Sequence, residues 1–104
     1  MTSFKIELTD EAIDNLEQIY LYIAEELKSK VSAKKQYERI VNQIMKLETF
    51  PERYHILEYD KAYSRGMRMM PIDNYAIIYI VRQKRVIITN ILYGASDIRT
   101  KLKE

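Results

Sequence analysis

The sequence predicts an α+β fold with the order β-α-α-β-β-β, an antiparallel sheet packed against a helical hairpin, and a short helix at the C-terminus. Three observations predict it. Residues 4–8 alternate in polarity with a period of two, the mark of a half-buried strand. Residues 9–50 switch to apolar spacings of three and four in two consecutive stretches, as amphipathic helices do. Residues 67–93 hold three apolar runs rich in aromatic and β-branched side chains with short polar breaks, which reads as a meander. A helical hairpin laid over such a meander is an α+β layer arrangement.

The first strand places Phe4, Ile6 and Leu8 on one face and Lys5 and Glu7 on the other. It is expected at an edge of the sheet. Thr9 fits a helix N-cap, and Asp10 and Glu11 follow in the first turn, where the helix dipole favours acids. Ile13, Leu16, Tyr20, Ile23 and Leu27 then form one stripe. Ser32 is expected to cap the second helix, with the stripe Ala33, Tyr37, Ile40, Ile44 and Leu47. That helix has to stop before Pro51, because a residue preceding proline disfavours the helical region. The short connection makes the two helices an antiparallel hairpin.

Residues 52–66 read as a short strand or packed loop leading into an exposed loop. Met67–Ile72, Tyr75–Val81 and Val86–Tyr93 are the meander, with Asp73-Asn74 and Arg82–Arg85 as breaks. Gly94 ends the last strand, and Ser96 or Asp97 would cap the terminal helix.

The 104 residues suit one domain, taken as 1–104. There is no Cys and only one His, which excludes disulfides and thiolate sites and argues against an all-protein zinc site. No Gly-rich phosphate loop, Ser/His/Asp arrangement or carboxylate cluster with metal spacing is present, so no cofactor is expected. The first residues lack the basic-then-apolar pattern of an export signal, and no apolar run is long enough to span a bilayer, so a cytoplasmic protein is expected.

Charge is uneven. Residues 1–52 hold seven Lys/Arg against ten Asp/Glu, while residues 53–104 hold ten against five, with six of the seven Arg. Arg suits bidentate contact with carboxylate or phosphate, so the second half points to an acidic partner, although scattered surface charge would give the same count.

Several strings in this order resemble the RelE/ParE superfamily of toxins from bacterial type II toxin–antitoxin systems. Leu16-Glu17-Gln18-Ile19 through Tyr22-Ile23 is similar to the family's first helix. Leu47-Glu48-Thr49-Phe50-Pro51 is similar to the Leu-x-x-Phe/Tyr-Pro closing its second. Arg68 to Tyr79 resembles its arginine strand, turn and tyrosine strand, and Ile91 to Ile98 its terminal strand and tail.

The resemblance implies a toxin neutralised by a cognate antitoxin. Its target would be DNA gyrase, as for ParE-like members, or ribosome-bound mRNA, as for RelE-like members; an inactive binding module of the same fold is a further alternative. Fold alone does not choose among them. An mRNA endonuclease of this kind would be metal-independent. It must activate a 2′-hydroxyl, stabilise phosphate charge and protonate a leaving oxygen. RelE-like members place an Arg after the residue matching Tyr75, where this chain has Ala76. Ala95 and Ser96 occupy the place of a basic pair, leaving Tyr93 and Arg99 nearby. The gyrase-directed reading is therefore preferred.

The candidate catalytic residues are Arg68, Tyr93 and Arg99. Arg68 matches an Arg of many ParE-like members and interrupts an apolar strand. It reads either as a contact to an acidic or phosphate group or as a surface or ion-paired Arg. Ala76 would leave space over its strand, and Tyr93 would border the same face. Tyr93 replaces a frequent family His and reads as a proton donor, a stacking platform, or a Tyr wet at a strand end. His55 lies outside the matched strings. Asn90 stands where many ParE-like members have Arg and needs a hydrogen-bond partner if buried. Tyr20, Tyr37, Tyr75 and Tyr79 are expected in the core. An acidic antitoxin segment would meet Arg65, Arg68, Arg82, Lys84 and Arg85.

Overall fold

The computed structural model describes residues 3–58 and 65–94. The elements are β1 (Lys5–Leu8), α1 (Asp10–Leu21), α2 (Lys30–Met45), β2 (Arg68–Ile72), β3 (Tyr75–Arg82) and β4 (Arg85–Tyr93). The sheet order is β1-β4-β3-β2, so β1 and β2 are its edges. The expected meander is antiparallel throughout. β1 joins β4 in parallel, which makes the sheet mixed. The parallel pairing follows from the hairpin between β1 and the meander: the chain leaves β1, crosses over the sheet face and returns. The expected C-terminal helix lies outside the described residues.

The helices cover one face of the sheet. Ala12 and Leu16 of α1 and Ile40 and Ile44 of α2 pack with Leu47 against Met70, Ile72, Ile77, Tyr79, Val86, Ile88 and Ile91. The other face carries Met67, Ala76, Ile78 and Leu92, with Leu57, Met69 and Ile80 against them. Alternation along β3 assigns Tyr75, Ile77 and Tyr79 to the helix side and Ala76 and Ile78 to the other.

Thr9 caps α1 as expected, its Oγ1 accepting from the Ala12 amide at 3.1 Å. The α-helical part of the first stripe ends at Leu21. Tyr22–Glu26 form a π turn, closed by the Leu27 amide donating to the Tyr22 carbonyl at 3.2 Å. Leu27 is consequently exposed rather than a core stripe residue. The N-cap of α2 is Ser29, not Ser32: the Ser29 Oγ accepts from the Ser32 amide at 3.1 Å. The earlier start adds a turn to α2. Ala33, Ile40 and Ile44 of its stripe are buried, but Tyr37 is exposed, at the margin of the stripe. Tyr20 is half-buried and meets Tyr37 edge-to-face at 6.2 Å between ring centroids.

α2 gives way to a 3₁₀ turn at Lys46–Glu48, and a second one follows at Pro51–Arg53. Ile56 then makes one antiparallel bridge to Arg68, so this stretch is a packed loop with a single sheet contact. β3 and β4 turn through Gln83 and Lys84, both at positive φ, the backbone that matches strand twist in a two-residue hairpin.

β1 is short and pairs only with residues 85–88 of β4. The open edge of β4 beyond it is covered by the start of α1. Thr9 donates from Oγ1 to the Thr89 carbonyl at 3.1 Å, and Asn15 Oδ1 accepts from the Ile91 amide at 2.9 Å. Asn90 is buried and bonded as required, its Nδ2 donating to Glu11 at 3.5 Å. These contacts coincide with an irregularity in the β3–β4 register after Ile78, at Thr89.

Candidate functional site

Arg68 opens β2 opposite Tyr79 of β3. Both side chains reach the loop after α2. The Arg68 Nη1 donates to the Tyr54 carbonyl at 2.7 Å and the Glu52 carbonyl at 3.2 Å, while Nη2 lies 3.9 Å from the Glu52 carboxylate. The Tyr79 hydroxyl donates to the Pro51 carbonyl at 2.6 Å. Burial pushes this phenol up to about 12, against partial relief from the Arg68 charge. Arg68 is thus a strut between sheet and loop with only 17 % of its side chain exposed, not a cation open to solvent. The space expected over it from Ala76 does not exist: Ala76 packs on the opposite face, among Met67, Ile78 and Leu92.

Tyr93 shares the helix-side face with Arg68 but lies at its other end. It pairs with Tyr75, and Arg68 pairs with Tyr79, four positions along β3. At about 3.3 Å per residue the two are roughly 13 Å apart along the strands, and β3 lies between them, adding about 10 Å across the sheet. Tyr93 is 62 % exposed and meets Tyr75 edge-to-face at 5.5 Å. Tyr75 lies beneath it, its phenol raised by burial first and by the neighbouring Tyr93 and Asp73 second. Arg99 lies outside the described residues.

Around Tyr93 is a groove of about 680 Å³ between the π turn, the start of α2 and the β2–β3 turn, lined by Tyr22, Tyr75, Tyr93, Gln36 and Asp73 among others. Asp73 is held by the Arg39 Nε at 2.7 Å and Gln36 at 3.1 Å, and these donors keep its carboxyl below the usual range. Tyr22, 56 % exposed, is a contributor that sequence spacing did not single out; the π turn that turns it outward has no composition signal.

The remaining candidates collect at the opposite end of the sheet, because the starts of β1, β2 and β4 and the end of β3 all lie there. Arg65, Arg82 and Lys84 are exposed. Lys84 stacks its Nζ 5.4 Å over the Phe4 ring, and Arg85 lies 3.4 Å from Glu7. His55 is exposed beside this end, with Ile56 bridged to Arg68. The described residues contain no cluster of His, Cys, Asp or Glu that could hold a metal ion.

The outer side of the helical hairpin carries a second groove, about 640 Å³, lined chiefly by apolar residues including Ile13, Tyr20, Tyr37, Val41 and Met45. Ile13, Tyr37 and Met45 are 52 %, 42 % and 48 % exposed, an apolar strip along both helices. No helix among the described residues is long and apolar enough to cross a membrane.

Comparison with known proteins gives a consistent result. A family model described as "ParE toxin of type II toxin-antitoxin system, parDE" matches residues 6–98. A chain from the chromosomal ParDE toxin–antitoxin system of P. aeruginosa superposes with a TM-score of 0.76 at 20 % identity, covering 88 % of this chain and 97 % of that one. A chain of the RelBE2 toxin–antitoxin complex from Mycobacterium tuberculosis superposes with a TM-score of 0.69 at 16 % identity, covering 91 % and 95 %. Among curated protein sequences there is no match.

Proposed function

The chain belongs to the ParE toxin family of type II toxin–antitoxin systems, and from that premise we propose that it arrests growth by inhibiting DNA gyrase until a cognate antitoxin covers it. One observation carries the choice of target. A nuclease needs a phosphate-binding cation and a proton donor within reach of one scissile phosphate. Arg68 and Tyr93 are at opposite ends of their face, and Arg68 is committed to two backbone carbonyls. Ala76, where a charged residue would serve a nuclease, is buried in an apolar cluster. A protein target asks only for a shaped, charged surface, which the exposed cations at the sheet end supply.

The antitoxin reading adds a second surface to those cations, so that the antitoxin would compete with the target for the sheet end. The apolar strip between α1 and α2 suits an amphipathic helix laid into a groove, and the outer edge of β2 beyond its bridge to Ile56 suits an added strand. Carboxylates of the same partner would meet Arg65, Arg82, Lys84 and Arg85, while Arg68 holds the loop behind them. The deciding experiment is a pair of assays on purified protein. Supercoiling by gyrase is expected to fall as the chain is added, and ribosome-bound mRNA is expected to stay intact. Cleaved mRNA with untouched supercoiling would replace this target by the ribosome.

A further inference from the structure

Phe50 sits in a conformation that its chemistry opposes. Its φ is 49° and ψ 53°, the left-handed region, and its side chain is 76 % exposed. A bulky aromatic rarely adopts this region, and a residue before proline is further restricted to extended backbone. Among the described residues the other non-glycine positions at positive φ are Lys28, Asp73, Gln83 and Lys84, all polar residues of turns or connections. Exposure gives Phe50 no burial to offset the strain.

The surroundings over-determine the loop. Next to Phe50, Pro51 is buried and its carbonyl is held by Tyr79 at 2.6 Å. Arg68 holds the carbonyls of Glu52 and Tyr54. On the helix side, Arg53 reaches the Lys46 carbonyl at 3.3 Å, and its amide donates to the Phe50 carbonyl at 3.2 Å. Three side chains therefore fix the backbone on either side of one outward-facing ring. A strained residue that persists this way marks a place where geometry matters more than local stability.

We propose that Phe50 is the anchor by which the toxin engages its target, a folded protein that presents an apolar pocket rimmed by carboxylates. A rigidly presented aromatic loses little freedom on binding, which is the property of interface hot spots. The rim is assigned by charge. Around this end of the sheet Lys46, Arg53, Arg65, Arg82 and Lys84 outnumber Glu48, Glu52 and Glu58. Phe50 is not among the residues lining the groove between α1 and α2. The inference rests on the toxin reading, and it names the surface that the target meets.

The test uses the full chain with Phe50→Ala and Phe50→Gly. Both variants are expected to fold. Phe50→Ala keeps its melting temperature, and Phe50→Gly gains a few degrees, because glycine carries no penalty at this φ. Both are expected to need roughly thirtyfold more protein in the cell to halve growth, while binding of single-stranded and duplex oligonucleotides is unchanged. Variants as toxic as the wild type would overturn the proposal, as would melting temperatures that fall in both. Toxicity lost together with oligonucleotide binding would make Phe50 a base-stacking wedge instead. Toxicity kept while a co-expressed antitoxin no longer neutralises would move the residue to the antitoxin interface. An inert wild-type chain would remove the toxin reading itself, and this inference with it.

Discussion

Arg68 and Tyr79 reach one loop from neighbouring strands, and each replaces a contact with water by a bond to a main-chain carbonyl. Removing either leaves acceptors behind, so both substitutions act on stability first. Arg68→Ala gives up a charged donor shared by two carbonyls, a loss of about 1.5–3 kcal/mol. For a chain of this size that is roughly 6–20 °C of melting temperature. Thermal unfolding of Arg68→Ala is expected to show it, with toxicity falling only in step with the folded fraction. Tyr79→Phe is expected to cost about 1 kcal/mol for its lost bond to Pro51. It also predicts a pH dependence. The folded phenol is raised from 10 to about 12, so the native state holds its proton while the unfolded chain releases it. This contribution is complete below pH 10 and is lost as pH rises from 10 to about 12. Alkaline unfolding curves of wild type should lose that stability over this interval, and Tyr79→Phe should lack the same step. The sequence marked Arg68 as a cation out of place in an apolar strand. It did not reveal the partners, because backbone carbonyls of a distant loop leave no trace in side-chain pattern.

Period and composition located α1, α2 and the meander, since each element buries one face and its spacing follows directly from that. What escaped were the places where two cues compete. Ser29 and Ser32 are both able to cap, and only the backbone around Lys28, at φ 52°, selects the earlier one. The stripe ending at Leu27 continues in register on paper, but after the π turn its last residue lies outward while Ile23 stays buried. The β3–β4 break at Arg82–Arg85 was legible from its polar run, although its Gln83-Lys84 turn at positive φ lacks the Asn-Gly that signals such hairpins. The seam between α1 and β4 was silent, being made of side chain to backbone bonds between elements far apart in sequence. It carries its own prediction. Asn15→Ala leaves the Ile91 amide without its acceptor and is expected to cost about 1–2 kcal/mol. Hydrogen exchange should read it locally, with the Ile91 amide losing protection more than the amides of β2. Uniform loss across the sheet would show that the bond is not a local fastener.

Among the described residues the two ends of the sheet differ in character. The sheet end that holds the starts of β1, β2 and β4 gathers Arg65, Arg82, Lys84 and Arg85, and the far end holds the tyrosines around Asp73. A net charge of only +2 conceals this polarity. The apolar groove on the hairpin lies on another surface, so on the proposed reading affinity for an antitoxin would divide into two physically distinct parts. The apolar part scarcely depends on salt, whereas exposed charges are screened within about 8–10 Å at ordinary ionic strength. Steering by such charges acts mainly on association, and desolvated apolar contact acts mainly on dissociation. Binding kinetics across a salt series are therefore expected to show an association rate that falls steeply while dissociation changes little. Replacing Arg82 and Lys84 by Glu should lower the association rate about tenfold at low salt, with most of that difference vanishing at high salt. Tyr37→Glu, in the groove, should do the reverse and raise the dissociation rate at every salt concentration. If the charge variants also accelerate dissociation at high salt, the sheet end belongs to the tight part of the interface, and the division of labour between the two surfaces is abandoned.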